Sequence, residues 1–230
     1  MQNNIKLFDT PFSKEYWKQA ASELKNTKTL IFAALMIALR IALKSVSIYI
    51  AADLRISIEF LVNALGAMTF GPVVAIAGAA VSDTLGALLF PSGPYFFLFI
   101  FTEIAGSLVF ALFFYRTRIS VTKVILSRFC TNFFVNIVLQ TPIMYLYYQM
   151  MLGKTYKIFN LPRMIKNLVL FPVESLLLVL FLRALIPPLK SLGYKVSDIS
   201  NLHFTKKNIV TLVILTIIGV AAVVIYVLTK

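Results

Sequence analysis

The chain has 230 residues, 60% of them hydrophobic and 13% charged, with a mean hydropathy of +0.88. That is more apolar surface than one globular core of this length can hide, and the apolar runs are too long for the short alternating strands of a β-barrel. The fold class expected is therefore all-α, a polytopic membrane helical bundle. The formal net charge of +13 comes from 22 Lys and Arg against nine acids. The cations cluster in the gaps between apolar runs, which reads as a topology signal and not as a nucleic-acid surface.

Residues 1–28 precede the first apolar run. Within them, 11–26 predict a surface helix, because Tyr16, Trp17, Ala20, Ala21 and Leu24 share one face while Lys14, Lys18 and Lys25 lie elsewhere. The first residues are polar and Lys44 and Ser45 follow the first run without a small-residue cleavage pattern, so no cleavable signal peptide is expected. Windows of about 20 residues, the length that crosses a bilayer, place spans near 29–48, 57–71, 73–91, 95–115, 121–150, 163–187 and 208–228. In the first span Ala34, Ala38 and Ala42 recur every four residues, the small-xxx-small spacing that lets another helix pack closely in lipid. Gly71-Pro72 separates the second span from the third. Gly66, Ala67, Ala75, Ala77, Gly78, Ala79 and Ala80 then permit a tight helical hairpin. The fifth span is long enough to tilt, 188–207 form a polar linker, and the last span is an appended anchor.

With a cytoplasmic N-terminus, Lys6, Lys14, Lys18, Lys25, Lys28, Arg116, Arg118, Lys123, Lys190, Lys195, Lys206 and Lys207 fall inside. Lys44, Arg55, Lys154, Lys157, Arg163 and Lys230 fall outside. The bias predicts an N-in topology. The organisation expected is 1–28 as a cytoplasmic segment, 29–187 as a substrate-binding membrane domain, 188–207 as a cytoplasmic linker and 208–230 as an additional transmembrane helix.

Two kinds of segment interrupt this apolar pattern. Phe90-Pro91-Ser92-Gly93-Pro94-Tyr95 joins the third and fourth spans: the prolines fix φ and remove donors, Gly93 permits φ > 0, and the flanking rings offer flat faces to a ligand. Polar residues also sit inside the spans, where each needs a partner or a job. Arg128, Asn132, Asn136 and Gln140 follow an i+4 row about 18 Å long. Arg163, Asn167 and Glu174 lie near one face of the sixth span, with Lys166 beside them. Asp83 and Glu103 lie about two turns below the loop. These groups are expected to converge on one cavity beneath it, the amides gripping a heterocycle with mixed edges. Interhelical bonding that merely holds the bundle is the competing reading, and pairing of Asp83 with Arg128 is an instance of it.

Catalytic signatures are missing from the sequence. His203, the single histidine, lies in the polar linker, and Cys130, the single cysteine, sits in an apolar stretch. Gly153-Lys154-Thr155 resembles the end of a phosphate loop, but Tyr148 stands where the first glycine is needed. No cofactor and no metal is expected, and energy for active transport must come from another subunit or an ion gradient.

Over about residues 28–190 the chain resembles the substrate-binding S-components of energy-coupling factor transporters, most closely the folate-specific branch. The resemblance rests on Ala34, Ala38 and Ala42, on Phe70-Gly71-Pro72, on Asp83 with the run from Leu85 to Phe96, on Asn136 with Gln140-Thr141, and on Leu161-Pro162-Arg163 followed by Lys166-Asn167 and Pro172-Val173-Glu174. It implies a six-helix core, here with one extra C-terminal helix, and a vitamin pocket capped by the loops after helices one, three and five. It further implies docking of the alanine face on a transmembrane coupling subunit driven by two ATPases. Gln140, where such members have Asn, and Pro142 after Thr141 depart from the pattern. Folate suits the residues: Asn136 and Gln140 for the pterin edge, Phe90, Tyr95 and Tyr145 for stacking, Arg55, Arg163 and Lys166 for the glutamate dianion, with Asn167 and the loop Pro91, Ser92, Gly93 and Pro94 around them. The alternatives are an S-component for pantothenate or riboflavin, a membrane enzyme using Asp83, Glu103 or Glu174 as acid or base, and a purely structural membrane subunit.

Overall fold

The computed structural model describes residues 7–8, 10–46, 48–51, 54–91, 93–196 and 202–228. Helix α1, Lys14–Ser22, starts where the Ser13 side chain accepts from the Tyr16 amide, and a single 3₁₀ turn, Glu23–Lys25, leads to α2, Thr27–Ser45, capped by Asn26. The chain bends 84° between them, so α1 lies across the end of the bundle while α2 enters it. Its amphipathic face meets protein: Tyr16 and Ala20 are fully buried, and Tyr16 packs edge-on against Tyr115 and donates its hydroxyl to the Ala111 carbonyl at 2.9 Å. Burial pushes the Tyr16 hydroxyl well above its ordinary pKa, with the neighbouring Tyr115 adding to the shift, so it stays a donor at any physiological pH. Trp17 and Leu24, expected on the same face, are instead exposed.

Strands β1, Ile48–Ala51, and β2, Leu54–Ile56, form an antiparallel hairpin pairing Ile48 with Ile56 and Tyr49 with Arg55. The first span ends at Ser45, three residues earlier than the hydropathy window, because Ile48, Tyr49 and Ile50 favour extended backbone.

Glu59–Leu89, α3, consists of two helical halves joined at Gly71, whose φ of 79° and ψ of 177° are non-helical. Such a backbone is essentially restricted to glycine. The ion pairs show that the chain reverses there. Arg40 holds Glu59 at 3.1 Å, and Lys44, one turn further along α2, holds Asp83 at 2.9 Å. A straight helix would set Glu59 and Asp83 about 36 Å apart. The halves 59–70 and 72–89 therefore run in opposite directions along α2. Ring contact between Phe32 and Phe70 at one end, and Lys44 beside Gly86 at the other, fix that register.

Helix α4, Phe99–Phe114, packs extensively on α3, burying Phe110 and Phe114 against Met68 and Leu65. Next come α5, Val121–Cys130, a π-helical stretch Thr131–Leu139, and α6, Gln140–Leu152, which together make one 32-residue span ended by the left-handed Gly153. Helix α7, Leu161–Ser191, begins at the Asn160 cap and buries Leu178, Leu182 and Ile186 in the core. Helix α8, Lys206–Leu228, packs back along α7. Gly219 lies so close to the Val169 backbone that an added Cβ would stand 3.1 Å from its Cα, and Asn208 accepts from the Thr122 hydroxyl. The last helix is thus integrated with α5 and α7 and is more than a tether.

Candidate functional site

The polar row of the fifth span stays on one side of its helix because of the π stretch. In an α-helix each i+4 step drifts about 40° around the axis, so Arg128 and Gln140 would diverge by about 120°. Bonding from i to i+5 turns less per residue and offsets that drift. The Gln140 amide donates to the Val135 carbonyl in this longer pattern. Just beyond it Pro142 has no N–H, and the Thr141 hydroxyl donates to the Ile137 carbonyl at 2.5 Å.

The amides are knitted to α7. Asn136 Nδ2 donates to Asn132 Oδ1 and to Asn167 Oδ1, both at 3.3 Å, and Asn167 Nδ2 donates to the Arg163 carbonyl at 2.9 Å. The Arg163 guanidinium donates to the Asn136 carbonyl, to Gln140 Oε1 at 3.1 Å and to the Tyr156 hydroxyl at 3.1 Å. Below them Arg128 and Glu174 pair at 2.6 Å, the Phe60 ring covers the guanidinium at 4.1 Å, and Asn132 donates to the same carboxylate oxygen.

Across the bundle, Arg40 is 4% exposed and bridges two carboxylates, donating to Glu59 Oε1 through Nε and Nη2 and to Glu103 Oε2 at 2.7 Å. Between these two groups lies a cavity of about 240 Å³, lined on one side by Arg40, Glu59, Asn63 and Glu103 and on the other by Asn136, Gln140, Lys166, Asn167 and the Arg128–Glu174 pair. It is polar, and it is set inside an otherwise apolar bundle.

Asn136, Gln140, Lys166, Asn167, Glu103 and Glu174 therefore meet as the sequence predicts. Asp83 does not: Lys44 holds it on the α2–α3 seam, and Arg128 pairs with Glu174 instead. Arg163 stands behind the wall, reaching Gln140 from a lateral cleft of about 280 Å³ lined by Ile137, Pro142, Phe159 and Met164. Phe90, Pro91, Gly93, Pro94, Tyr95 and Tyr145 are exposed and do not line the cavity. The aromatic beneath the loop is Tyr147, which packs on Phe96 and Phe99, and whose hydroxyl lies 2.8 Å from where a Gly93 Cβ would be. Ser92 and the Arg55 side chain lie outside the described residues. Ala34, Ala38 and Ala42 are exposed along α2, next to exposed Ile31, Leu35 and Leu39.

Sequence reasoning missed Arg40, Glu59 and Asn63. Arg40 was visible: an arginine in the middle of an apolar span marks an intramembrane site by its cost alone. Glu59 and Asn63 gave a weaker signal, being near the start of a span where flanking polar groups are ordinary.

The chain is 30% identical over 155 residues to the folate transporter FolT of Clostridium novyi (strain NT), covering 67% of this chain and 88% of the relative. The chain belongs to the FolT family. It is thus an S-component of the folate branch, as its motifs suggested, and a multi-pass membrane protein. FolT of Leuconostoc mesenteroides is 26% identical over 151 residues, covering 65% of this chain and 81% of that protein. A crystal structure of a FolT bound with folic acid superposes with a TM-score of 0.58 at 28% identity, over 66% of this chain and 89% of that one. No protein-family model matches the chain. About a third of this chain lies outside each match, whereas most of each FolT is covered.

Proposed function

We propose that this FolT-family S-component captures folate in the cavity between α2–α4 and α7, carries it without chemical change, and depends on partner ATPases for uptake. The observation that carries the reading is the convergence of amides from the π stretch and α7, with Lys166, on a polar chamber, in a chain similar to a FolT that was crystallised with folic acid. Asn136, Gln140 and Asn167 present donors and acceptors to the pterin edge, Lys166 and Arg55 face the glutamate dianion, and Arg163 acts from behind the wall by holding Gln140. The Phe90–Tyr95 loop and Tyr145 are outer contacts that the ligand meets on entry. The N-terminus and the linker 188–207 are cytoplasmic, the chamber opens outward, and the exposed face of Ala34, Ala38 and Ala42 docks on a transmembrane coupling subunit. An acid–base enzyme suits the site poorly, since Asp83, Glu103 and Glu174 each hold a cation.

The test is equilibrium binding of folate, pantothenate and riboflavin to the purified full chain in detergent. Folate alone binds tightly and at one per chain, and Arg163→Ala and Gln140→Ala each cost about 1–3 kcal/mol of affinity. Tight binding of another vitamin reassigns the ligand. Unchanged folate affinity in both variants removes these residues from the pocket.

A further inference from the structure

Helix α8 lies beyond the residues that carry the family resemblance, and it packs behind one wall of the chamber. On α7 the lining residues Lys166, Asn167, Leu170 and Glu174 fall within an arc of about 100°. Leu168 and Val169 lie on the reverse of that arc, more than about 100° from its centre. Their backbone is what α8 meets: a Cβ on Gly219 would stand 3.1 Å from Val169 Cα and 3.5 Å from the Leu168 carbonyl oxygen. Both are main-chain atoms of a helix, so they can give way only if α7 itself moves. Gly219 is buried, whereas Val210, Val213, Ile217 and Val220 project, exposed, from the other side of α8. Glycine is a poor helix former, and a buried one set against a neighbouring backbone serves the close approach by which membrane helices pack. A second tie lies in the first turn of α8, where Asn208 accepts from the Thr122 hydroxyl of α5 at 3.3 Å. Helix α8 therefore crosses the seam between α5, with its π extension, and α7. On the chamber side the same seam is crossed by the Arg128–Glu174 pair and by three bonds near the limit of direct hydrogen bonding: Asn132 to Glu174 at 3.3 Å, Asn132 to the Asn167 carbonyl at 3.4 Å and Asn136 to Asn167 Oδ1 at 3.3 Å. A shift of α7 by a few tenths of an ångström, the amount a Cβ at 219 would demand, disturbs them.

We infer that α8 braces the ligand wall and that Gly219 is a positioning residue for folate binding. Its missing side chain sets how far α7 stands from α8, and so where Asn167 meets Asn136. The inference rests on the folate reading of the chamber and extends it to a helix that lines no part of that chamber.

Folate is titrated into the full chain in detergent for the wild type, Gly219→Leu, Gly219→Ala, Asn167→Ala and the double variant of Gly219→Leu with Asn167→Ala. Gly219→Leu weakens folate by about tenfold, the scale of overpacking a tight contact, and Gly219→Ala by about threefold. Val220→Leu, which adds bulk on the exposed side of α8, leaves affinity unchanged. Because Gly219 acts through Asn167, the leucine costs little more once Asn167 is alanine, whereas a general loosening of the bundle would multiply the two losses. Ligand-free melting curves show which variants fold, and the cycle is run with Gly219→Ala if the leucine variant does not. A wild type that fails to bind folate overturns the folate reading and this inference with it. Wild-type folate binding with unchanged affinity in the folded Gly219 variants means that α8 yields in place of α7, and it overturns the brace alone. A loss that is the same with and without Asn167 overturns it too.

Discussion

Removing Glu174 separates scaffold from ligand contact at the chamber floor. Its carboxylate holds Arg128 at 2.6 Å, and the two side chains are 13% and 6% exposed. In Glu174→Ala the guanidinium keeps only the face of Phe60 and has no hydrogen-bond acceptor from α7. Breaking one side of a buried pair costs about 3–5 kcal/mol. Both residues line the chamber, so water can reach the orphaned cation, and the lower end, about 3 kcal/mol, is expected. Replacing both by Met removes the uncompensated charge along with the attraction, and the double variant should return to within about 1 kcal/mol of the wild type. Denaturant unfolding in mixed micelles, run as a double-mutant cycle without ligand, measures the coupling. Folate affinity falls in the single variant, because Asn132 loses one of its two acceptors, keeping only the Asn167 carbonyl at 3.4 Å, and this loosens the geometry of Asn136. A Glu174→Ala protein within about 0.5 kcal/mol of the wild type would refute the pairing as a structural element.

Gly71→Ala should destabilise by about 2–4 kcal/mol, combining a backbone conformation forbidden to L-residues with overpacking, since its Cβ would lie 2.9 Å from the buried Tyr115 ring. Gly153→Ala, with φ of 61° and nothing within 4 Å, should cost only about 1 kcal/mol; equal losses in thermal unfolding would contradict the steric account. Ala38→Leu enlarges the exposed face of α2 and should abolish folate uptake in cells while leaving binding to the purified chain intact, and retained uptake removes the docking role.

Much of this architecture is legible in the sequence because lipid leaves few options. Spans follow from hydropathy, the reversal at Gly71-Pro72 from two residues with restricted backbones, and the polar row from its spacing. Partners across helices are another matter. Asp83 reads equally well as a ligand of Arg128 or of Lys44, and only the direction of the two halves of α3 decides it. Arg40 announces itself by its cost in an apolar span, yet nothing local says that Glu59 and Glu103, at the starts of two different helices, will share it. The Pro-Gly loop is hard to place for the opposite reason. Its rings are conspicuous in sequence, but an exposed loop owes its position to what it rests on, here Tyr147, and not to its own residues.

Gln140 and Pro142, the two departures from the family pattern, both sit where the π stretch ends. Proline at 142 supplies no N–H to the carbonyls four and five residues before it, and the Thr141 hydroxyl donates to one of these, Ile137; separately, the Arg163 guanidinium donates to the Asn136 carbonyl. Once Arg163 is drawn to that carbonyl, its remaining N–H groups need acceptors on the same side. Gln140, one methylene longer than Asn, supplies one at 3.1 Å while its backbone amide closes the π turn. Each residue thus has a local structural role, Pro142 at the end of the π stretch and Gln140 as an acceptor for Arg163 from α7. That stretch keeps Asn132, Asn136 and Gln140 on one wall, and so the backbone irregularity and the polar chamber have a common cause.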